Sequence, residues 1–176
     1  TLILNRAVEP DLINCLYEMS SRQLDKTKDA RYGNGKCSLA FNLFDDKCPT
    51  VKKLSYDLKS IMMEAVGSDI FIDDPFFNIL AAGGGSTPHQ HISALDQEKG
   101  LNIADQKYSL VYYLSVGDQD CNEPGFLTLY DPDETILPCD GMIVIIPASR
   151  KHSAVYGGKK DRVMIGANFY SLQLPQ

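Results

Sequence analysis

The amino-acid sequence predicts a mainly β protein with flanking helices, namely a double-stranded β-helix (jelly roll) braced by an N-terminal helical segment. From residue 68 onward, short runs of Val, Ile, Phe and Tyr are separated by Gly, Pro and Asp, a spacing typical of antiparallel sandwiches and barrels. Before that point, apolar residues recur at intervals of three and four, which indicates amphipathic helices. Because 176 residues suit one hydrophobic core, we expect a single domain, with residues 1–67 as helical support and residues 68–176 as the jelly-roll core.

Two helices are predicted in the N-terminal segment. The first begins near Asp11 and fades into the charged stretch 25–31. The second starts at Thr50, whose hydroxyl can cap it, and stops at Gly67. Its apolar residues form one stripe: Val51, Leu54, Leu58, Ile61, Met62 and Ala65. Between the helices, residues 31–35 (Arg-Tyr-Gly-Asn-Gly) predict a turn, with a loop over a site as the alternative.

Seven strands are predicted in the second segment. Each is a run of β-branched and aromatic residues bounded by turn residues. They are Phe76–Ala82, Thr87–His91, Lys107–Val116, Gly125–Tyr130, Met142–Pro147, His152–Tyr156 and Arg162–Leu172. This count suits a jelly roll with helices packed outside it.

The charge and the hydropathy pattern restrict the partners. The net charge is −6 and the sequence contains no basic run, so we expect no binding to nucleic acid or to anionic membrane surfaces. The longest apolar run, Met142–Pro147, is far shorter than the roughly 20 residues that a bilayer-spanning helix needs. A small molecule or a peptide is therefore the expected ligand.

The cysteines and the first residues indicate the compartment. Five cysteines at scattered spacings, without a C-x-x-C pair, predict reduced thiols rather than a disulfide framework or a zinc site. Residues 1–10 lack the features of a secretory signal, so we expect a cytoplasmic protein. Since the first residue is not Met, we expect a trimmed chain or one domain of a longer protein.

All three histidines fall between residues 89 and 152, in the β-rich segment. His89 and His91 are separated by one residue, and side chains at i and i+2 of a strand point to the same face. His152 begins another predicted strand, which a jelly roll can bring next to the first. Three neutral imidazoles suit Fe, Zn, Cu or Ni, whereas ordinary structural histidines are the alternative.

Arg162 opens the last predicted strand and shares a face with Met164, Gly166 and Asn168. This placement would put a fixed guanidinium at the bottom of an otherwise apolar cavity. A buried Arg needs an anion, which a ligand carboxylate or an internal Asp or Glu can supply.

A set of motifs extends these two features across residues 76 to 172. In chain order they are His89-x-His91, Tyr112-Tyr113-Leu114, the segment 125–132 (Gly-Phe-Leu-Thr-Leu-Tyr-Asp-Pro), the segment 141–147 (Gly-Met-Ile-Val-Ile-Ile-Pro), His152 and Arg162. In this order the motifs resemble those of the iron(II)- and 2-oxoglutarate-dependent oxygenases, especially the prolyl-hydroxylase-like branch. The resemblance implies that His89 and His152 bind Fe(II). It also implies that Arg162 pairs with the distal carboxylate of the cosubstrate 2-oxoglutarate and that Tyr113 donates a hydrogen bond to it.

The sequence departs from the family at His91, where a carboxylate normally completes a triad with two histidines. Either His91 is the third metal ligand, or one of three carboxylates in the following loop reaches the metal: Asp96, Glu98 or Asp105. The implied reaction consumes O2 and 2-oxoglutarate, releases succinate and CO2, and hydroxylates a peptide or protein residue or a small molecule. Residues 31–35 and 95–106 are candidate lids.

Two other functions remain open. A cupin-type dioxygenase or isomerase is favoured by the spacing of Gly83, His89, His91 and Glu98, followed by a Gly-to-Pro strand and His152. That pattern would make Glu98 a fourth ligand, but six residues separate it from His91 and nothing in the pattern explains Arg162. The other alternative is a jelly-roll module that binds a partner without turnover.

Overall fold

The computed structural model describes residues 1–23, 35–37, 42–80, 84–100 and 103–173, and these residues form two antiparallel β-sheets with two α-helices. In chain order the elements are β1 (Leu2–Asn5), α1 (Pro10–Gln23), β2 (Gly35–Cys37), α2 (Pro49–Val66), β3 (Ile70–Leu80), β4 (Gly84–His89), β5 (Lys107–Ser115), β6 (Pro124–Leu129), β7 (Glu134–Ile136), β8 (Met142–Pro147), β9 (His152–Tyr156) and β10 (Arg162–Ser171). Short 3₁₀ helices lie at Leu43–Asp45 and Ala104–Gln106. The predicted jelly roll with flanking helices is confirmed.

The larger sheet has the strand order β1-β8-β5-β10-β3-β2, and the smaller sheet has the order β4-β9-β6-β7. One core lies between the helices and the larger sheet, and a second core joins residues of both sheets. Strand β5 contributes one of two adjacent tyrosines to each core, because neighbouring residues of a strand point to opposite faces. Tyr112 belongs to the helix-side core and Tyr113 to the core between the sheets.

The two helices form as the apolar periodicity predicts. Val51, Leu54, Leu58 and Met62 of α2 are fully buried. The prediction that Thr50 caps this helix is wrong, because α2 begins at Pro49 with Cys48 in the cap position. Proline is favoured in the first turn, where its missing N–H has no partner to lose. Gly67 ends the helix in the left-handed region, at φ +67°.

The first residues of the chain form a strand, although the sequence predicts helical support for the whole segment 1–67. Leu2–Asn5 form strand β1, which pairs antiparallel with β8 and covers one edge of the larger sheet. Arg6 follows this strand and holds α2 to the sheet: its guanidinium contacts Asp57 at 2.9 Å, Glu9 at 2.6 Å and the Tyr112 hydroxyl at 3.1 Å. Residues 1–67 therefore contribute strands as well as helices.

Some strands begin or end at other residues than the sequence predicts, because pairing with a neighbouring strand extends or shortens them. Strand β3 starts at Ile70, six residues before the predicted start, because its partner β10 continues to Ser171 and pairs with it there. Strand β4 runs from Gly84 to His89 instead of from Thr87 to His91. Strands β2 and β7 are short and were not predicted.

Three features of the sequence lie wholly or partly outside the described residues. They are the charged stretch 25–31, the candidate lid 31–35, of which only residue 35 is described, and Gly83 of the cupin-like spacing. The second candidate lid, 95–106, is described except for residues 101 and 102 and contains a turn and a 3₁₀ helix. Within the described ranges, neither helix combines the length and the apolar character that a membrane span requires.

Candidate metal centre

The three histidines come together between β4 and β9. His89 and His152 are directly paired across these strands, and His91 follows two residues after the end of β4. One ring nitrogen of each histidine lies within 4.8 Å of one nitrogen of the other two. The structure thus brings all three residues that the sequence singled out to one point.

Backbone contacts orient two of the rings. His89 Nδ1 lies 2.7 Å from the Thr87 carbonyl oxygen, and His152 Nδ1 lies 3.1 Å from the Arg150 carbonyl oxygen. A carbonyl oxygen can only accept, so Nδ1 of each ring carries a proton, and Nε2 is the nitrogen that can bind a metal ion. Metal-binding histidines are commonly held in this way.

His91 reaches the cluster by a different route from the one its spacing predicts. Strand β4 ends at His89, and the register with β9 shifts between Ser86 and His89. The His91 backbone N–H then donates to the Ala148 carbonyl oxygen at 2.8 Å, which fixes the residue beside β9. His91 is therefore placed by a loop contact rather than by strand alternation.

Burial favours the neutral form of two of the three rings, those of His91 and His152. Burial, with His152 and His89 as smaller causes, lowers the pKa of His91 to about 3. Burial also lowers the pKa of His152. Neutral imidazole is the form that binds a metal ion.

The distances suit a metal ion. Nitrogen atoms that share one ion at bond lengths of about 2.1 Å lie about 3.0 to 3.4 Å apart. The Nε2 atoms of His91 and His152 are 3.2 Å apart. The ligand nitrogen of His89 lies within 4.8 Å of those of His91 and His152. The three residues therefore fit an ion with nitrogen ligands.

No carboxylate joins this cluster among the described residues. Asp96, one of the three carboxylate candidates, is buried and accepts hydrogen bonds from Lys107 at 2.8 Å and Tyr170 at 2.5 Å. Glu98 and Asp105 are exposed on the loop between β4 and β5. The geometry favours His91 as the third nitrogen.

A cavity extends from the histidines into the space between the sheets. Its walls are largely apolar, and its polar side chains other than the histidines are Asn78, Ser86 and Tyr113. The apolar lining residues are Phe76, Leu80, Val111, Leu127, Ala154, Met164 and Ile165. Such a chamber excludes water from one side of the cluster.

Tyr113 faces this cavity from β5. Its hydroxyl has no hydrogen-bond partner among the described residues, although the side chain is 2% exposed. Burial raises the pKa of Tyr113 to about 12, so the hydroxyl stays protonated and can donate a hydrogen bond at neutral pH.

Arg162 is fully buried behind Tyr113, with its guanidinium carbon 5.7 Å from the centre of the Tyr113 ring. It donates hydrogen bonds to the carbonyl oxygens of Val116 at 3.2 Å, Gly125 at 2.7 Å and Pro124 at 2.8 Å. None of the described acidic residues forms an ion pair with it. Its side chain is not part of the cavity wall.

The sequence predicts an anion beside Arg162, and the described residues place backbone carbonyl oxygens there instead of an Asp or Glu. Three of the five guanidinium N–H groups are already bound to carbonyl oxygens, so two remain for a ligand. Backbone carbonyls were not foreseen as partners, because sequence reasoning cannot locate them.

Asn78 is a cavity residue that sequence reasoning missed. It lies on β3, is 6% exposed, and its side-chain oxygen is buried without a hydrogen-bond donor from the described part of the chain. The available signal was a single amide in the apolar run 76–82. The fold and the cluster thus define a jelly-roll protein with a candidate three-histidine metal centre beside a cavity with few polar groups.

Comparison with known proteins identifies the fold. Neither a protein-family model nor a curated protein sequence matches the chain. A prolyl hydroxylase from Trichoplax adhaerens, solved with a peptide fragment of the hypoxia inducible factor oxygen degradation domain, matches with a TM-score of 0.70 and 15% identity over 97% of this chain and 83% of its own. A Pseudomonas putida prolyl-4-hydroxylase matches with a TM-score of 0.65 and 14% identity, over 98% of this chain and 92% of its own.

A third structure is HygX from Streptomyces hygroscopicus, solved with nickel and 2-oxoglutarate bound. It matches with a TM-score of 0.68 and 12% identity, over 97% of this chain and 82% of its own. At these identities the likeness establishes the fold: this chain has the jelly-roll fold that the three structures share.

Proposed function

We propose that this chain is an Fe(II)- and 2-oxoglutarate-dependent dioxygenase that hydroxylates a peptide or protein residue or a small molecule, with release of succinate and CO2. The observation that carries the proposal is the convergence of three imidazoles beside an apolar jelly-roll cavity. The shared fold supports it, because solved structures with this fold include a complex with nickel and 2-oxoglutarate.

His89, His91 and His152 would hold the iron through Nε2. Three neutral ligands leave both positive charges of the ion uncompensated, so the site favours an anionic cosubstrate. 2-Oxoglutarate carries two carboxylates and meets this requirement. With iron and O2 bound, this cosubstrate supplies the oxidising chemistry.

Tyr113 and Arg162 would bind the distal carboxylate. The Tyr113 hydroxyl is a protonated donor without a protein partner, and Arg162 behind it contributes an uncompensated positive charge. The pairing of Arg162 with the carboxylate requires its two remaining N–H groups, or the exchange of one carbonyl contact.

The chain's remaining task is to orient the substrate and exclude water. Leu127 and Ala154 of the smaller sheet face Val111 and Met164 of the larger one across the cavity. These walls keep bulk water from the inner side of the histidine cluster, which protects a reactive centre from side reactions. The substrate would approach from the mouth, where His89 and the loop after β4 lie.

A cupin-type enzyme is the second candidate, and the purely histidine cluster favours it. Its fourth ligand would be Glu98, but this residue is exposed and lies outside the cluster. A cupin also has no use for the buried charge of Arg162. Binding of 2-oxoglutarate therefore discriminates the two candidates.

The test is an anaerobic titration of the protein with Fe(II) and 2-oxoglutarate, in which we expect a visible metal-to-ligand charge-transfer band. Admission of O2 should then produce succinate without added substrate. His91→Ala should lose the band, whereas Glu98→Ala is the matched control and should retain it. A wild-type protein that binds Fe(II) but shows neither the band nor succinate would contradict the proposal.

Arg162→Met tests the cosubstrate role separately, since Met retains much of the buried volume. We expect Fe(II) binding to persist and the affinity for 2-oxoglutarate to fall by about tenfold to a hundredfold, the range for a lost charge-assisted hydrogen bond. Unchanged affinity would remove Arg162 from the binding site. A non-catalytic binding module would keep its partner after chelation of the metal, which a pull-down with EDTA can examine.

A further inference from the structure

A row of three side chains crosses the cavity face of the larger sheet. Asn78 of β3 is the register partner of Met164 on β10, and Met164 is also the register partner of Tyr113 on β5. Directly paired residues of antiparallel strands point to the same face, so all three side chains face the cavity. All three contribute to its wall.

Asn78 differs from the other buried asparagine of this sheet. Asn168 of β10 is 7% exposed, and its Oδ1 accepts a hydrogen bond from Ser109 Oγ at 2.7 Å. Asn78 is as deeply buried, at 6% exposed, yet its Oδ1 has no donor among the described residues. A buried amide oxygen without a donor in an apolar cavity destabilises the folded protein unless a ligand satisfies the group.

We propose that Asn78 binds the cosubstrate, donating a hydrogen bond from its side-chain amide to a carboxylate oxygen of 2-oxoglutarate on the same wall of the cavity as Tyr113. This inference rests on the proposed function. A rotation of the amide by 180° exchanges Oδ1 and Nδ2, so the side chain can present its N–H groups to the ligand. Asn78 and Tyr113 lie two strand spacings apart, about 10 Å between backbones, with Met164 between them.

Asn78 of β3 and Tyr113 of β5 would then both donate hydrogen bonds to the anion, although neither side chain is charged. Arg162, two residues before Met164 on β10, pairs in register with Leu80 at the next inward-facing position of β3. Asn78 and Tyr113 therefore lie between Arg162 and the middle of the sheet on this face. The dicarboxylate would enter between two neutral donors before it reaches the guanidinium.

The test compares Asn78→Leu with Asn168→Leu as the matched control. Asn78→Leu should raise the Kd for 2-oxoglutarate by about tenfold or more in the anaerobic Fe(II) titration. It should leave the affinity for Co(II), followed by its visible bands, unchanged. It should also raise the Tm of the metal-free protein, because an unsatisfied polar group is replaced by an apolar one. Asn168→Leu should lower Tm and leave cosubstrate affinity unchanged.

Asn78→Asp provides a second measurement that does not depend on the fit of Leu. Its carboxylate has the shape of the amide but repels the ligand anion, so we expect a larger loss of affinity than in Asn78→Leu. Cosubstrate affinity within twofold of the wild type in both variants would overturn the inference, as would a fall in the Tm of Asn78→Leu similar to that of Asn168→Leu. If the wild type itself fails to bind 2-oxoglutarate, the proposed function fails, and the rise in Tm still reports whether Asn78 is unsatisfied.

A second, independent inference concerns two cysteines at the junction of the helices. Cys15 lies on α1 and Cys48 immediately precedes α2, and their Sγ atoms are 2.9 Å apart. Both residues are partly exposed, so a small oxidant can reach them. Burial raises the pKa of Cys15 to about 11. Burial also opposes ionisation of Cys48, but the contact with Cys15 and the proximity of the N–H groups in the first turn of α2 lower its pKa.

We infer that Cys15 and Cys48 form a disulfide when the protein meets a peroxide. Cys48 thiolate attacks one oxygen of H2O2 and becomes a sulfenic acid, with release of water after proton uptake. Cys15 sulfur then attacks the Cys48 sulfur, the S–O bond breaks and a second water leaves. In sum, two thiols are oxidised to one disulfide and one H2O2 is reduced to two H2O. The bond would tie α1 to the start of α2.

Peptide mapping after treatment with H2O2 tests this inference. We expect a loss of two mass units, a linked peptide pair containing residues 15 and 48, and reversal by dithiothreitol. Cys15→Ser should abolish the link, whereas Cys139→Ser is the control and should retain it. An intact wild-type protein that keeps both thiols under these conditions, or that links another pair of cysteines, would overturn the inference.

Discussion

Removal of the Asp96 carboxylate should be one of the most destabilising single changes in the loop between β4 and β5. The Asp96 side chain has no exposed surface, and Lys107 Nζ, 4% exposed, lies 2.8 Å from its Oδ2. Oδ2 also accepts from the Ser93 N–H at 2.7 Å, and Oδ1 accepts from the Tyr170 hydroxyl at 2.5 Å. Asp96→Ala leaves the Lys107 ammonium buried, and among the described residues its remaining acidic neighbour is Asp73, at 4.0 Å.

Loss of one partner of a buried ion pair costs about 3 to 5 kcal/mol. For a chain of this size each kcal/mol shifts Tm by about 2 to 4 °C, so the expected fall is about 6 to 20 °C. Urea denaturation at pH 7 measures the free energy of unfolding, and Asp105→Ala, at an exposed position of the same loop, is the control with an expected change below about 0.5 kcal/mol. The double variant Asp96→Ala/Lys107→Met should recover part of the loss, because no unpaired charge remains.

The same pair predicts the direction of the pH dependence. Burial alone would raise the pKa of Asp96, but the hydrogen bonds from Lys107, Tyr170 and Ser93 hold it well below its ordinary value. A carboxyl group with a depressed folded-state pKa stabilises the protein fully above its unfolded-state pKa of about 4. The stability difference between the wild type and the double variant should therefore shrink as pH falls below about 4.

Two results would refute this reasoning. One is a loss below about 1 kcal/mol in Asp96→Ala, which would show that the pair is not desolvated in solution. The other is a folded Asp96→Ala protein that no longer binds Co(II), which would return Asp96 to the metal centre.

Three further predictions concern the cavity and the metal. Tyr113→Phe should weaken 2-oxoglutarate binding by about tenfold while leaving the free energy of unfolding unchanged, because the hydroxyl has no protein partner; a large loss of stability in urea would contradict this. Gly125→Ala should cost about 2 to 4 kcal/mol, since Gly125 has φ +84° and an added Cβ would overlap the Arg162 guanidinium. Co(II) at a hundredfold excess over its Kd should stabilise the wild type by about 2.7 kcal/mol in thermal melts, and this gain should vanish in His152→Ala.

The sequence was sufficient for the parts of the fold that depend on local pattern. The stripe of α2 and the runs that became β5, β8, β9 and β10 carry strong periodicity, and the structure places these elements close to the predicted bounds. Strands β1 and β2 were missed because both are short edge strands, whose extended structure depends on pairing with one neighbouring strand rather than on a local sequence pattern. The cap of α2 was misplaced by two residues because Pro49 is a stronger starting signal than the Thr50 hydroxyl.

Only part of the candidate site could likewise be predicted from the sequence. The sequence could place the three histidines in one cluster because side-chain alternation follows from their spacing and the expected jelly roll brings their strands together. His91 nevertheless owes its position to a hydrogen bond with the Ala148 carbonyl oxygen. The surroundings of Arg162 could not be predicted, because its partners are backbone atoms from residues 116 to 125. Asn78 was overlooked because an unsatisfied amide is recognised only when every neighbouring donor has been located.

The opposite orientations of Tyr112 and Tyr113 restrict how this protein can change over evolution. Tyr112 lies 3.1 Å from the Arg6 guanidinium on the helix side, whereas Tyr113 faces the cavity. A deletion or insertion of one residue within β5 would exchange the two rings and disrupt both the N-terminal anchor and the cavity wall. Changes in length should therefore be tolerated in the turns that flank β5 but not between Lys107 and Ser115.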